Sequence, residues 1–133
     1  MHDTNWMLSD LVTLPGVQHA LLFTADGLVN SHSSGLTRDQ ADTYAAAVSG
    51  LQSLSRASAE FGAGDPHSAW RQTLVEFAGG YVLITAAGAN AYLAVSCAAT
   101  ADLQVVSFRM HEVVARMGRE MTSPPRTGVA TST

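Results

Sequence analysis

The chain has no lysine, and all seven of its basic residues are arginine. Only 14% of its residues are charged, and its formal net charge at pH 7 is −4. The arginines are scattered rather than grouped, so a basic stripe that follows nucleic-acid phosphates is not expected. Because 47% of the residues are hydrophobic and so few are charged, we expect another chain to cover part of the surface.

The chain also has a single cysteine, Cys97, which excludes an internal disulfide and a metal site built from several cysteines. Cys97 alternates with Leu93 and Val95 along a predicted strand, so it is expected to face the core as a small hydrophobic residue. Met1–Asn5 lacks the pattern of a signal peptide, and no apolar run approaches the roughly 20 residues that span a bilayer. We therefore expect a cytoplasmic protein, with any membrane recruitment coming through its partners.

The segment from Gly16 to Phe61 predicts a hairpin followed by a long helix. Apolar runs at Val17–Thr24 and Leu28–His32 flank Asp26-Gly27, a pair that tolerates the positive φ of a tight turn. Thr37–Gln40 has the sequence of a capping box, in which the Thr37 hydroxyl and the Gln40 side chain satisfy each other's backbone N–H groups. These signals predict a helix over Arg38–Glu60.

The remaining pattern completes a single domain over residues 1–121. A short first helix is predicted at Asp3–Leu14, capped by Asp3 or Thr4. Three strands and a last helix are predicted at Ala69–Phe77, Tyr81–Thr85, Ala91–Cys97 and Asp102–Met121. Residues 122–133 are rich in Ser, Thr, Pro and Gly, which predicts a disordered tail.

The polarity of the strands predicts their places in a sheet. The strands that begin at Val17, Tyr81 and Ala91 are apolar on both faces, which is typical of central strands covered on both sides. Leu28–His32 and Ala69–Phe77 carry polar residues on both faces, which favours the edges. The predicted fold class is α+β: a five-stranded antiparallel sheet with the long helix on one face and the other two helices on the opposite face.

This order of elements resembles the roadblock/dynein light chain family over about residues 5–120. The matching segments are Leu22–Val29, Gly80–Ile84, Ala91–Val95 and the helix start at Asp102-Leu103. The resemblance implies the strand order 2-1-5-4-3. It also implies a homodimer or heterodimer in which the second helices pack together and the third strands pair.

The residues themselves also favour an interface on the second helix and the third strand. The helix carries apolar or small side chains on more than one face, and one sheet cannot cover them all. Ala69–Phe77 is a long edge without proline, and such an edge tends to acquire a partner strand. The predicted dimer interface consists of Tyr44, Ala45, Val48, Leu51, Leu54, Arg71, Thr73 and Val75.

The resemblance further implies a small Ras-like GTPase as partner, because bacterial members of the family work with such GTPases. One branch is similar to gliding-motility regulators. Another accompanies a sensor-kinase-like protein and a GTPase in actinobacteria, and the lysine-free, alanine-rich composition favours this branch. The expected GTPase contacts on the second helix are Arg38, Asp42, Gln52 and Arg56.

The sequence has little that indicates catalysis. Ser31, His32 and Ser33 are neighbours on a strand, so their side chains alternate between faces instead of converging. The five histidines are far apart, and no glycine-rich loop ends in Gly-Lys-Ser/Thr, so neither a metal site nor a nucleotide site is expected. Arg38 and Arg56 are the plausible donors of an arginine finger, although ordinary surface arginine is favoured for both.

The sequence therefore predicts a non-enzymatic dimeric regulator or scaffold that binds a small GTPase and needs no cofactor. The alternative is a small-molecule-sensing domain, since similar sheets covered by helices serve as sensors. That alternative requires an internal pocket, for which the short loops at Ala25–Gly27, Ala78–Gly80 and Gly88–Asn90 are expected to leave little wall.

Overall fold

Helices cover both faces of a single five-stranded antiparallel sheet in residues 5–122, the part of the chain that the computed structural model describes. The strand order β2-β1-β5-β4-β3 confirms the predicted order and places the two polar strands at the edges. The elements in chain order are α1 (Asn5–Val12), β1 (Val17–Thr24), β2 (Val29–His32), α2 (Arg38–Ala57), α3 (Ala59–Ala63), β3 (Gln72–Phe77), β4 (Gly80–Ala86), β5 (Ala91–Ala98) and α4 (Leu103–Thr122).

Two predicted elements have different bounds in the structure. The long helix stops at Ala57, and a short α3 follows after Ser58, whose φ of −88° and ψ of 8° interrupt the regular helix. The third strand begins at Gln72 instead of Ala69, because Gln72 pairs with Thr85 and β4 ends one residue later. The proposed caps Asp3 and Thr4 and most of the predicted tail, residues 123–133, lie outside the described residues.

The predicted capping box opens α2. The Thr37 hydroxyl accepts a hydrogen bond from the Gln40 N–H at 3.1 Å, and the Gln40 carbonyl oxygen accepts one from the Thr37 N–H at 2.9 Å. Asp102 caps α4 in a similar way, since its carboxylate accepts bonds from the N–H groups of Gln104 and Val105. Both helices therefore begin where side-chain acceptors satisfy their first free donors.

The sheet divides the core into two layers, as its alternating side chains require. The layer under α1 and α4 contains Met7, Leu8, Leu11, Leu22, Leu83, Leu93, Val95, Val106, Met110, Val113 and Met117. The layer under α2 contains Leu21, Phe23, Leu36, Ala41, Ala45, Val48, Ile84, Tyr92 and Ala94. The predicted distribution of helices over the two faces is confirmed, since α1 and α4 cover one face and α2 covers the other within the described part of the chain.

Cys97 lies in the layer under α1 and α4, which confirms that it faces the core. Burial raises the pKa of its thiol. Above pH about 8.5 the unfolded thiol loses its proton while the folded one keeps it, so folding stability falls as pH rises in this window. We expect thiol reagents to label the native protein at least about 100-fold more slowly than the urea-unfolded chain. Equal labelling rates in the two states would contradict this placement.

Candidate protein-binding surface

The outer edge of β3 is open. β3 is the last strand of the sheet, and β4 is its only neighbour among residues 5–122. Leu74 pairs with Leu83, which belongs to the layer under α4, so Thr73, Val75 and Phe77 face α2 instead. The free backbone groups of such an edge can accept another strand by ordinary ladder hydrogen bonds.

A hydrogen-bonded chain fixes the second half of α2 to the start of β3. The Thr73 hydroxyl lies 2.7 Å from the Ser55 hydroxyl on α2 and accepts a bond from the Trp70 indole N–H at 2.9 Å. The Trp70 ring meets the Tyr92 ring edge-on, with centroids 5.8 Å apart. Because these groups are at least half-buried, α2 and the β3 edge are held in a defined relative position.

The rotation of α2 about its axis is also defined by a contact at its middle. The Ser49 hydroxyl donates to the Ala25 carbonyl in the β1–β2 turn at 3.0 Å. This orientation turns one side of the helix onto the sheet and buries it. The residues on that side are Ala41, Ala45, Val48 and Gln52.

A second side of α2, which we call the seam flank, points toward β3 and leaves large apolar side chains in solvent. The seam flank consists of Tyr44, Ala47, Leu51 and Leu54, and Tyr44 and Leu54 are 45% and 69% exposed. Phe61, on α3, is 97% exposed. A cluster of exposed apolar side chains on one flank is more typical of a protein-binding surface than of a surface that stays in solvent.

An apolar groove of about 400 Å³ separates the seam flank from the open end of the sheet. Tyr44 and Leu51 form one wall, Val82 and Ala94 form part of the floor, and Phe77 lies at the rim. The groove exists because α2 lies over only part of this face of the sheet and leaves the rest uncovered. A groove of this size lined by apolar groups is suited to an apolar occupant, since covering its walls removes apolar surface from water.

Two polar side chains, His19 and Ser96, lie opposite each other on β1 and β5 and also line the groove. His19 Nδ1 and Ser96 Oγ are buried and have no hydrogen-bond partner among the described residues. Buried polar atoms without partners are costly, so these two atoms mark a place where a further group can be accommodated.

The predicted dimer residues fall into two groups. Tyr44, Leu51 and Leu54 lie on the seam flank, and Val48 is buried but borders the groove. Ala45 is completely buried against its own sheet, so its assignment to a partner contact needs correction. The sequence was misleading there because alanine and serine surround α2 on several sides, and its periodicity therefore does not single out the buried one.

The predicted residues of the third strand lie at the open edge. Thr73 and Val75 are half-buried on the α2 side of β3, whereas Arg71 is exposed just before the strand begins. The Arg71 carbonyl lies 3.4 Å from the Thr85 hydroxyl, which keeps the chain beside β4 up to the first paired residue. The edge is therefore shorter than predicted but continuous.

The predicted GTPase contacts do not form one patch. Arg38, Asp42 and Arg56 lie about 120–160° round the helix from Leu54, on the flank opposite the seam. Arg38 donates to Asp42 at 3.2 Å, in an exposed pair one helical turn apart. Gln52 is buried against the sheet, and its assignment to a direct GTPase contact is corrected in the same way as that of Ala45.

The side chains offered by the described residues do not assemble into a reactive centre. His32 Nδ1 lies 2.9 Å from the Ser33 carbonyl oxygen, and the buried Ser33 hydroxyl accepts from the Ala20 N–H. Within residues 5–122 no three His, Cys, Asp or Glu side chains are grouped as metal ligands. In the same range, no helix has the length and apolar character needed to cross a bilayer.

Sequence reasoning missed Phe61 and the groove. The predicted long helix ends at Glu60 and gives Phe61 no role, although the spacing of Phe61 from Leu54 is two helical turns. A second apolar patch, formed by Leu74 on β3 and Phe108 on α4, lies on the opposite face of the sheet. The spacing along α2 and α3 was a usable signal for Phe61, whereas the groove depends on how α2 lies across the sheet.

The fold is that of a roadblock domain, and the sequence agrees. The family model described as the Roadblock/LC7 domain matches residues 4–96, which is more than half of the chain. The chain belongs to the Roadblock/LC7 family, whose members are regulatory domains. This finding confirms the resemblance carried by the hairpin and strand segments.

Solved structures agree with this assignment. A Roadblock/LC7 domain from Streptomyces avermitilis is 36% identical, covers 92% of this chain and 100% of its own, and has a TM-score of 0.82. Myxococcus xanthus MglB is 16% identical, with coverages of 90% and 95% and a TM-score of 0.78. The gliding protein MglB from Thermus thermophilus is 22% identical, with coverages of 88% and 89% and a TM-score of 0.72. The likeness to the two MglB structures concerns the fold. A comparison with curated proteins returns no significant match.

Proposed function

We propose that this chain is a homodimeric, non-enzymatic regulator that binds a small Ras-like GTPase in the bacterial cytoplasm. In this proposal the dimer orders the switch loops of the GTPase and thereby changes its rate of GTP hydrolysis. The regulator supplies no catalytic group of its own. A sensor-kinase-like protein belongs to the same proposed assembly, through which the dimer is recruited to a membrane.

The observation that carries the proposal is the combination of an apolar seam flank with an open β3 edge on the same side of the domain. Tyr44 and Leu54 are exposed beside the groove, and Thr73 and Val75 lie at the edge strand. A second copy related by a twofold axis offers the same two features in return, which is the requirement for a closed symmetric interface. Membership of the Roadblock/LC7 family supports this use of the surface.

Absence of an internal catalytic group among the described residues supports a role in which the effect on hydrolysis is indirect. Phosphoryl transfer depends mainly on positioning and on stabilisation of charge, and a bound protein can improve both by ordering a mobile loop of the GTPase. The exposed flank with Arg38, Asp42 and Arg56 stays outside the proposed seam. It therefore remains accessible for polar contacts with the GTPase once the dimer has formed.

The first test combines the mass of the protein in solution with capture of its partner. Light scattering after size-exclusion chromatography is expected to give twice the chain mass of 13.9 kDa. Tagged protein is then incubated with lysate of the source organism in two samples. One lysate sample contains a GTP analogue and the other contains GDP. Enrichment of a Ras-like GTPase in the analogue sample, followed by a changed hydrolysis rate with the purified pair, supports the proposal. A monomer, or a dimer that neither binds nor affects any such GTPase, contradicts it.

Arg38→Ala and Arg56→Ala are expected to weaken binding of the GTPase by no more than about threefold, because both side chains are exposed and screened by solvent. Stimulated hydrolysis at saturating regulator is expected to remain unchanged. Single-turnover hydrolysis measured against regulator concentration separates the two effects. Loss of stimulation with binding intact would identify the substituted arginine as a finger and would overturn the indirect mechanism.

The groove favours a second candidate function, the sensing of a small apolar molecule. The short hairpin loops were expected to leave little wall for a pocket, but the wall is supplied by α2 instead. The volume of about 400 Å³ lies within the range of small-molecule sites. Native mass spectrometry of the purified protein decides between the candidates, because a co-purifying compound supports sensing and an empty dimer supports the regulator.

A further inference from the structure

The apolar side chains of the seam flank continue beyond α2 into α3. Tyr44, Ala47, Leu51, Leu54, Ser58 and Phe61 follow one another at alternating steps of three and four residues. This spacing is that of the contact line between two packed helices. Phe61 is 97% exposed at the end of this line, so the other described residues cover almost none of its large ring.

The interruption at Ser58 does not end the line. The Ser58 N–H donates to the Ser55 carbonyl at 3.1 Å, and the Gly62 N–H donates to the Ser58 carbonyl at 2.9 Å. Because of these bonds, the chain continues in a helical direction from α2 into α3, with one tighter turn at Ser58. Phe61 is therefore placed on the same flank as Leu54, although it belongs to a separate short helix.

When the contact lines of two subunits pack antiparallel, large side chains meet large ones and small side chains meet small ones. When Leu51 of one chain meets Leu54 of the other, Ala47 meets Ser58 and Tyr44 meets Phe61. Small residues between two large pairs allow the helices to approach closely. A parallel arrangement instead places each Phe61 beside the other Phe61 and leaves Tyr44 beside Tyr44.

The β3 edge leads independently to the same arrangement. If two β3 strands pair antiparallel about a twofold axis at Val75, Thr73 of one chain lies opposite Phe77 of the other, and both side chains lie on the α2 face of the joined sheet. The hydrogen bond from Thr73 to Ser55 then brings the second half of α2 with it. The second half of the partner's α2 then lies beside Phe77, at the rim of the apolar groove on the first chain.

We propose that Phe61 of each subunit packs beside Tyr44 of the other subunit, at the mouth of the other subunit's groove. α3 thereby acts as a reciprocal clamp at both ends of the α2 pair. The inference rests on the proposed homodimer and adds its register and the role of α3. The occupant of the groove is a second copy of this chain, since only a copy supplies both the matching line and the matching strand edge.

The register is tested by disulfide cross-linking of Tyr44→Cys/Phe61→Cys. The two positions are 17 residues apart, about 25 Å along one helix, whereas a disulfide tolerates Cα atoms no more than about 7 Å apart. A bond between them must therefore join two chains. We expect mild oxidation to move most of the double variant to twice the monomer mass on a non-reducing gel, reversibly with reductant. Native Cys97 stays in place because it is buried.

Each single variant is the matched control. In the antiparallel register both Tyr44 side chains are about 25 Å apart, as are both Phe61 side chains, so neither single variant cross-links alone. A mixture of the two single variants does cross-link. Cross-linking of a single variant alone, or a dimer by light scattering without any cross-link between positions 44 and 61, overturns the register. A monomeric wild-type chain overturns the dimer itself, so the two failures are distinguishable.

Phe61→Ala provides a second measurement without engineered cysteines. We expect it to raise the dimer dissociation constant at least about tenfold, because an aromatic side chain at the interface is lost. Phe108→Ala is the control, since Phe108 is 66% exposed on α4, on the opposite face of the sheet. Equal dissociation constants for Phe61→Ala and the wild-type chain contradict the clamp.

Discussion

Leu54→Asp is expected to convert the proposed dimer into a monomer without unfolding the domain. Leu54 is 69% exposed, so a carboxylate at this position remains hydrated in the separate chain. In the dimer the same carboxylate is placed against the partner's Leu51 and loses its water, which is unfavourable by several kcal/mol. We expect the dissociation constant to rise by at least about 100-fold, as measured by analytical ultracentrifugation over a range of concentrations.

Leu28→Asp is the matched control for this variant. Leu28 is also a leucine in solvent, 64% exposed, but it lies in the turn before β2, away from the seam flank. It is expected to leave both the dimer and the circular dichroism spectrum unchanged. A Leu54→Asp protein that stays folded and dimeric would show that the seam flank is not the interface. Leu51→Asp is a weaker test, because Leu51 also packs against its own core and its replacement destabilises the separate chain.

Gly80→Ala is expected to lower the free energy of unfolding by about 3 kcal/mol. Gly80 begins β4 and is buried beside β5, where a Cβ atom would collide with the Cys97 carbonyl oxygen. A backbone oxygen in a paired strand cannot rotate away, so the β4–β5 ladder has to shift. Urea unfolding at one fixed protein concentration measures the change, and the melting temperature is expected to fall by about 10 °C.

Gly79→Ala is the control at the neighbouring position. No atom lies within 4 Å of the Cβ that it would add, and Gly79 does not have a positive φ. Its effect on the free energy of unfolding is expected to stay within about 0.5 kcal/mol. Equal midpoints for the two variants would show that the close approach of Gly80 to Cys97 does not constrain the sheet.

Much of the scaffold was predictable because its signals are local. The Thr37–Gln40 capping box, the Asp26-Gly27 turn and the glycine before β4 depend on neighbours within a few residues. The two edge strands also followed from the sequence, since polar side chains on both faces distinguish edge strands from central ones, whereas the full strand order was implied by the family resemblance. The missed bounds differ in kind: Ser58 interrupts the helix through its own backbone angles, whereas β3 begins at Gln72, the first residue that pairs with β4.

The candidate surface was less predictable than the fold. The predicted interface included the exposed Tyr44 and Leu54 and the half-buried Leu51, whereas Ala45 and Gln52 were assigned to contacts although both are buried. On a helix this rich in alanine and serine, the apolar periodicity fits several rotations almost equally. The sequence alone determined that α2 is long, capped and apolar on more than one side, and that β3 is an edge.

Only the tertiary structure decided which side of α2 faces the sheet and which side remains open. Two long-range hydrogen bonds, from Ser49 to the Ala25 carbonyl and between Ser55 and Thr73, hold the helix in one rotation and one position across the sheet. That position leaves the apolar groove beside the seam flank. No local pattern encodes it, because its walls come from residues far apart in the chain that meet only after the sheet has formed.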